Sequence, residues 1–331
     1  MEVLLDWIVP AFLLPCAALI VIWMAGAIYF DICFGARWGR WLAASWVIGV
    51  VLLFALWQPL WQPFAVLIGI LALFLCWWYS QKPSNSRDWD VAQTVLPRAV
   101  REGDVITIEN LRNFDYRSLA DCTPRYETRT YQLANLRGAD VIFFNWEFAL
   151  MCHPVLVFDF GPDGRICLSI EARLCKGQHY SVVRSFYRQQ EIIFVAADER
   201  DIILRRTKHS QGQKAHLYRL SASVEELRQV FLDYVDAINR LHDTPQWYHA
   251  VCANCTTSFY HLPSTQWRCD WRVIANGRLD AALHEAGRLD RTIPFPELRL
   301  CAYLNDIAND APEEGFGDHI RRELERRRHE R

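Results

Sequence analysis

Charge is nearly missing from the first quarter of this chain. Of 331 residues, the opening eighty hold only five charged side chains: Glu2, Asp6, Asp31, Arg37 and Arg40. Such a segment does not suit the surface of a soluble domain and reads as lipid-soluble material. An excess of either sign is also lacking. The formal net charge is −2, so neither nucleic acid nor a strongly acidic surface is an expected partner. The eleven cysteines follow no spacing of a disulfide framework. There is no phosphate-binding glycine loop, no G-x-S-x-G and no H-E-x-x-H, which removes the usual nucleotide, serine-elbow and zinc-protease signatures.

What fills the charge-poor segment is three charge-free runs, residues 7–30, 41–57 and 64–79. A membrane-spanning helix needs roughly 20 apolar residues, with about 17 as the lower limit. The first run meets this outright. The other two meet it when their tryptophan-rich ends lie in the interface, where aromatics are favoured. The first run is too long for a signal-peptide core and has no basic leader. The expectation is a multi-pass anchor of three transmembrane helices over residues 1–80, with a re-entrant hairpin of the second and third runs as the alternative. Arg37 and Arg40 lie between runs one and two, whereas the connection around residues 58–63 is uncharged. The positive-inside rule then puts that first loop, and after three spans the rest of the chain, in the cytoplasm. Lys82 and Arg87 point the same way.

Residues 82–90 (KPSNSRDWD) are polar and contain proline and serine, and the linker is drawn at 81–90. Beyond it, β-rich runs at 105–109, 126–132, 141–145, 192–196, 202–206 and 216–220 read as strands. Residues 154–160 and 166–172 flank Gly161-Pro162-Asp163-Gly164 and read as a hairpin. Residues 224–241 form the clearest helix. Ser223 and Glu226 make a capping box, and Val224, Leu227, Val230, Phe231, Tyr234, Val235, Ile238 and Leu241 share one face. A second helix is expected to begin near Asn254. Residues 313–331 are charge-dense and read as a solvated or frayed tail.

One constellation carries chemistry. In Asn254-Cys255-Thr256-Thr257, Asn and Thr favour a helix N-cap, which places Cys255 in a first helical turn. Such a position lowers a thiol pKa from about 8.5 and offers N–H groups to an oxyanion. A buried, inert cysteine is the plainer reading of Cys255 taken alone. His153 begins the first strand of the hairpin, and folding about 161–164 makes Glu171 roughly its cross-strand neighbour. A carboxylate beside an imidazole fixes its tautomer, the third role in a nucleophile–base–orienter triad. The plainer readings are a structural histidine, and a Glu171 that pairs with Arg173. Cys252 and Cys255 also spell C-x-x-C, which fits a redox pair or half a zinc site. No second C-x-x-C exists, and His261 is poorly spaced as an extra ligand.

Several segments together resemble the Lnb N-terminal periplasmic domain family. They are PSNSRDW (83–89), NLRNFDYRSLADCTPRYETRTYQLANLRGADVIFFNW (110–146), His153, ICLSIEAR (166–173), HYSVVRSFYRQQEIIFVAADERDIILRRT (179–207), HLYRL (216–220), NCTT (254–257) and FGDHIRREL (316–324). The resemblance implies an anchor of three membrane helices followed by an α+β, circularly permuted papain-like thiol domain. That domain would have an antiparallel sheet and a helix carrying the cysteine, over 91–324, with 325–331 a charged tail. It implies Cys255 as nucleophile, His153 as base and Glu171 as orienter, with Asn254 and Thr256 supporting and Arg173, Tyr180, Asp198 and Arg200 as matched positions. Characterised relatives are bacterial lipoprotein N-acyltransferases. The implied function is acyl transfer through a cysteine thioester, from a membrane phospholipid to a lipoprotein, with no cofactor and no metal. The implied place is the bacterial inner membrane with the domain in the periplasm, against the Arg37/Arg40 signal. A papain-like hydrolase and a non-catalytic envelope scaffold are the alternatives. Residues 147–152 are bulkier than the family's usual glycine-containing loop, Pro154 follows the histidine, and Cys252 matches no family landmark.

Overall fold

The computed structural model describes residues 2–119, 121–146, 151–210, 213–260, 262–265, 271–273 and 275–330, with backbone alone for 2–10 and 260. Glu147, Phe148, Ala149, Leu150 and His261 lie outside the described residues. The chain divides into two units. One is Met1–Ser84 with Tyr180–Gln190 and Trp247–His249, and the other is Asn85–His179, Glu191–Gln246 and Ala250–Arg331.

The first unit contains helices α1 (Glu2–Ala27), α2 (Gly39–Leu56) and α3 (Trp61–Ser80), with α1 running on into a wider π turn at Ile28–Ile32. The stretches Ala11–Ile32, Gly39–Leu56 and Trp61–Ser80 are long and apolar enough to cross a membrane. Their interior is slight: Ala17, Val21, Val50 and Leu67 meet at the centre, and most other large apolar side chains face outward. A helix apolar all round is what lipid, not water, tolerates. At the end shared by α1 and α3, Trp78 donates an indole N–H to Asp31 at 2.8 Å.

The second unit is built on a mixed sheet. In chain order its strands are β1 (Arg98–Glu102), β2 (Val105–Arg112), β3 (Asp115–Tyr116), β4 (Cys122–Thr123), β5 (Tyr126–Gln132), β6 (Gly138–Asn145), β7 (Cys152–Asp159), β8 (Arg165–Arg173), β9 (Glu191–Ala197) and β10 (Lys214–Arg219). The large sheet runs β1-β2-β9-β8-β7-β6-β10, with β5 also on β2, while β3 and β4 pair separately. The ladders are antiparallel except where β2 meets β9 at Arg112 and Ala197, a parallel contact that makes the sheet mixed. The helices are α4 (Glu199–Thr207), α5 (Val224–Asp243), α6 (Thr257–Tyr260), α7 (Leu279–Glu285), α8 (Phe295–Cys301), α9 (Asn305–Asp310) and α10 (Phe316–His329).

Strand alternation sorts the core onto two faces. Ile142, Phe144, Val155, Val157, Ile193 and Val195 pack with Ile202 and Ile203 of α4, Leu304 and Ala308 beside and within α9, and Phe316 and Ile320 of α10. On the opposite face Phe158 meets Phe231 and Tyr234 of α5 edge-on, and Phe194 meets Tyr234. The expected capping box at the start of α5 is present, with Ser223 and Glu226 bonding reciprocally.

Two expectations are corrected. Residues 202–206 are not a strand but the middle of α4. Asp198 caps that helix by accepting the Arg200 N–H, and a three-residue apolar run, Ile202-Ile203-Leu204, is too short for a period that separates helix from strand. The charge-dense C-terminus is not a frayed tail. α10 continues to His329, held by buried Phe316 and Ile320 and by Arg321, which reaches Asp140 and Glu199.

Candidate active site

The site begins where two strands part. β7 and β8 pair from Asp159–Arg165 as far as Val155–Ser169. Beyond that point β7 stays with β6 up to Cys152, and β8 stays with β9 up to Arg173. Pro154 has no N–H to offer β8, which suits the point of separation. Five buried polar side chains gather there, on the side that packs against α4.

His153 Nε2 lies 2.8 Å from Ser169 Oγ, and Ser169 Oγ donates to Glu171 Oε1 at 3.0 Å. The imidazole and carboxylate are 3.7 Å apart, so the serine bridges them. Arg206 on α4 donates to Glu171 Oε1 at 2.5 Å, and Gln93 Nε2 donates to Oε2 at 3.2 Å. Burial would raise the Glu171 carboxyl, but Arg206 and the His153 ring outweigh it and hold it well below the usual carboxylate range. Glu171 is therefore ionised. The single Ser169 proton goes to it, and Ser169 accepts from Nε2–H. This network leaves the basic lone pair of His153 on Nδ1. Burial lowers the His153 pKa, the nearby Arg206 charge lowers it further, and Glu171 opposes both. The ring is neutral at pH 7.

The cysteine belongs to a second cluster. Asn254 accepts the N–H groups of Thr256 and Thr257 through Oδ1, at 2.9 and 2.8 Å, and its carbonyl accepts from Ser258. Asn254 is thus the expected cap. Cys255 lies in the turn just ahead of α6, not within the helix. The expected activation does not follow. Burial pushes the Cys255 thiol up, and hydrogen bonds from Thr256 and the local backbone lower it without prevailing. The N–H groups of Thr256 and Thr257, at the start of the helix expected to offer donors to an oxyanion, are already taken by the cap.

Asn276 joins the two clusters. Its Oδ1 accepts the N–H of Cys152 at 2.7 Å, and its Nδ2 donates to Thr256 Oγ1 at 2.6 Å. The same Nδ2 stands 4.0 Å from Cys255 Sγ. Cys152 also donates its thiol to the Asn276 carbonyl at 2.9 Å. The residue before His153 and the residue after Cys255 are therefore tied to one side chain.

The two clusters face different surroundings. His153, Ser169 and Glu171 take the alternation of Val155 and Cys167, toward α4. Cys255 and Thr256 line a cavity of about 510 Å³ on the α5 face, with Val141, Phe143, Pro154, Leu156, Val230 and Leu279 among its apolar walls. Among the described residues no hydrogen bond joins the thiol to the imidazole. The thiol contacts are Thr256 Oγ1 at 3.7 Å and Asn276.

The remaining expected residues take other roles. Arg173 is not the partner of Glu171. It donates to the carbonyls of Gln93 and Thr94 and to Asn85, and lies 4.3 Å over the Trp89 ring. Burial lowers its pKa to about 10. Asp198 caps α4 and pairs with Arg129, and Arg200 pairs with Asp115 and Asn113. These three organise the frame, including the helix that delivers Arg206. Tyr180 belongs to the first unit, where its ring meets Tyr248 edge-on. Cys252 is exposed.

Ser169, Arg206, Gln93 and Asn276 did not emerge from the sequence. Ser169 had a usable signal, since it shares a strand face with Glu171 two residues on. Arg206 was hidden by reading its helix as a strand. Asn276 carries no local pattern at all.

Neither a curated protein nor a solved structure matches the chain. Three helices fit to span a membrane precede the domain, which makes this a membrane protein. The model of the Lnb N-terminal periplasmic domain family matches residues 122–272, the stretch that holds His153, Glu171 and Cys255. Over that stretch the chain is similar to the Lnb N-terminal periplasmic domain family, and this match together with the three helices supports a membrane protein with a periplasmic domain, against the Arg37/Arg40 signal.

Proposed function

We propose that the protein is a cysteine-dependent acyltransferase of the bacterial inner membrane, with a papain-like thiol mechanism. The observation that carries the reading is that Cys255 lines a mainly apolar cavity of about 510 Å³. Ligand cavities of 300–1,000 Å³ are typical of small-molecule sites, and these walls suit a fatty acyl chain better than a peptide. This favours transfer of a lipid acyl group over a papain-like hydrolase of polar substrates.

In the first half-reaction His153 Nδ1 takes the Cys255 proton, and the thiolate attacks the acyl ester carbonyl of a phospholipid. The tetrahedral intermediate collapses to a thioester. The ester oxygen leaves with the proton from His153, as the lysolipid alcohol. In the second, the α-amine of a lipoprotein's N-terminal cysteine attacks the thioester, an amide forms and the thiol regains its proton. A thioester is well suited to aminolysis. The Nδ2 group of Asn276 has one N–H committed to Thr256 and a second directed to the region of the sulfur, the donor available for the oxyanion. For the first proton transfer the imidazole must meet the thiol across the gap between β7 and β8, within about 3 Å or through one water.

A second reading rests on a specific observation: the thiol is held protonated and unbonded to His153. It is a non-catalytic envelope domain that holds a lipid chain in the same cavity. The test that separates the readings is an intact-mass measurement of the purified protein with a short-chain phospholipid. Acyl transfer yields a hydroxylamine-sensitive adduct on Cys255 and none in Cys255→Ala. A bound but unmodified lipid supports the second reading and ends the first.

A further inference from the structure

The segment Tyr180–Gln190 lies between β8 and β9 in sequence, yet it belongs to the unit of membrane helices. Its seat there is specific. The Tyr187 ring lies against α1 so closely that a Cβ on Gly26 would sit 1.8 Å from its hydroxyl, and it is 5.0 Å from the Phe30 ring. Asp31 accepts the Arg188 N–H at 3.1 Å and the Gln189 side chain at 2.8 Å. The Arg188 guanidinium lies 4.1 Å over the Trp78 ring and donates to the Gln81 carbonyl. The segment is therefore clamped to the ends of α1 and α3, the level at which tryptophan and tyrosine mark the boundary of a bilayer.

What the clamp leaves outward is apolar. Val182, Val183 and Phe186 are exposed, Val183 by 59%. No acidic residue occurs between 180 and 190. Arg184 touches the Phe30 ring, and among the described residues no carboxylate pairs with it. Exposed valine and phenylalanine with arginine, beside lipid-facing helices, are the composition of an interfacial anchor.

We propose that Tyr180–Gln190 is a bilayer-seated segment, with Val182, Val183 and Phe186 in the upper acyl layer and Arg184 against lipid phosphate. The surface continues the lipid-facing surface of the helices, and its cations suit anionic headgroups. The proposal is independent of the chemistry at Cys255.

The test uses the full chain in phosphatidylethanolamine/phosphatidylglycerol nanodiscs, with benzoylphenylalanine as a photo-crosslinking residue at Val183. Phe12, exposed on α1, serves as the lipid-facing reference. Irradiation is expected to give lipid adducts at Val183 comparable with those at Phe12, read by mass spectrometry. Adducts with a second copy or another protein, or none while Phe12 reacts, overturn the proposal. Gly26→Leu, which displaces Tyr187, should lower the Val183 lipid adduct several-fold and spare that at Phe12. An unchanged Val183 yield would overturn the role of the clamp.

Discussion

The His153 cluster and the Cys255 turn belong to one proposed site, but opposite physics controls them. Charge governs the first: Glu171 is kept ionised by Arg206, and its field acts through Ser169 on a neutral imidazole. Desolvation governs the second: burial dominates, and the thiol stays protonated. An imidazole tuned by its neighbours and a thiol muted by burial are what the proposed mechanism has to bring together. Asn276, bonded on one side to Cys152 and on the other to Thr256, is the hinge of that comparison.

The largest effect is expected at the sulfur. Cys255→Ala should abolish N-acylation, measured by mass spectrometry of lipoprotein N-termini in a host that depends on this protein. Its thermal unfolding should stay near that of the parent. Retained acylation would remove the nucleophile from the comparison altogether.

Next is the charged cluster. Arg206→Met leaves the Glu171 carboxylate buried without its main counter-charge, a change that costs about 3–5 kcal/mol. Chemical denaturation should show that loss, and the double variant with Glu171→Leu should recover most of it. The same carboxylate sets an acid limit. Its folded pKa is depressed, so its contribution is present above the ordinary carboxylate range and lost as pH falls through the folded value. His153, also depressed, adds to the loss below its ordinary value of about 6.5, because the unfolded chain accepts that proton first.

Asn276→Ala comes third. It leaves the Cys152 N–H without its partner at a cost of about 1–3 kcal/mol. It should also change the alkylation rate of Cys255, which a purely structural loss elsewhere would not. An alkylation rate identical to the parent would show that Asn276 does not hold the thiol.

The smallest effect is the most discriminating. Glu171→Gln removes an anion that raises the His153 pKa, so that pKa should fall further, visible in the imidazole resonances. If thiol and imidazole work as a pair, the pH profile of Cys255 alkylation should shift with it. A profile that stays put while the His153 resonance moves would show two clusters that do not communicate.

Much of this was legible from local pattern. The hairpin around Gly161-Pro162-Asp163-Gly164 set the β7–β8 register, and Ser223 with Glu226 announced α5. Asn254 was readable as a cap because its side chain acts within three residues. The misreadings share one cause. Residues 202–206 open with a short apolar run without a helical period, and the C-terminus sets only Phe316, Ile320 and Leu324 among its charges; distant packing fixed both helices, through Ile203 in one and Ile320 in the other.

The sequence alone determined the three apolar helices, because lipid rejects charge whatever the fold, and it named the thiol, imidazole and carboxylate of the proposed site. It also determined which strands turn back on each other, since turn residues act locally. Only the tertiary structure decided the parting of β7 and β8, the Arg206–Glu171 pair, the Asn276 bridge and the apolar cavity. Each of these brings together groups distant in sequence. Their desolvation and mutual fields, not their residue types, set the protonation states of the site.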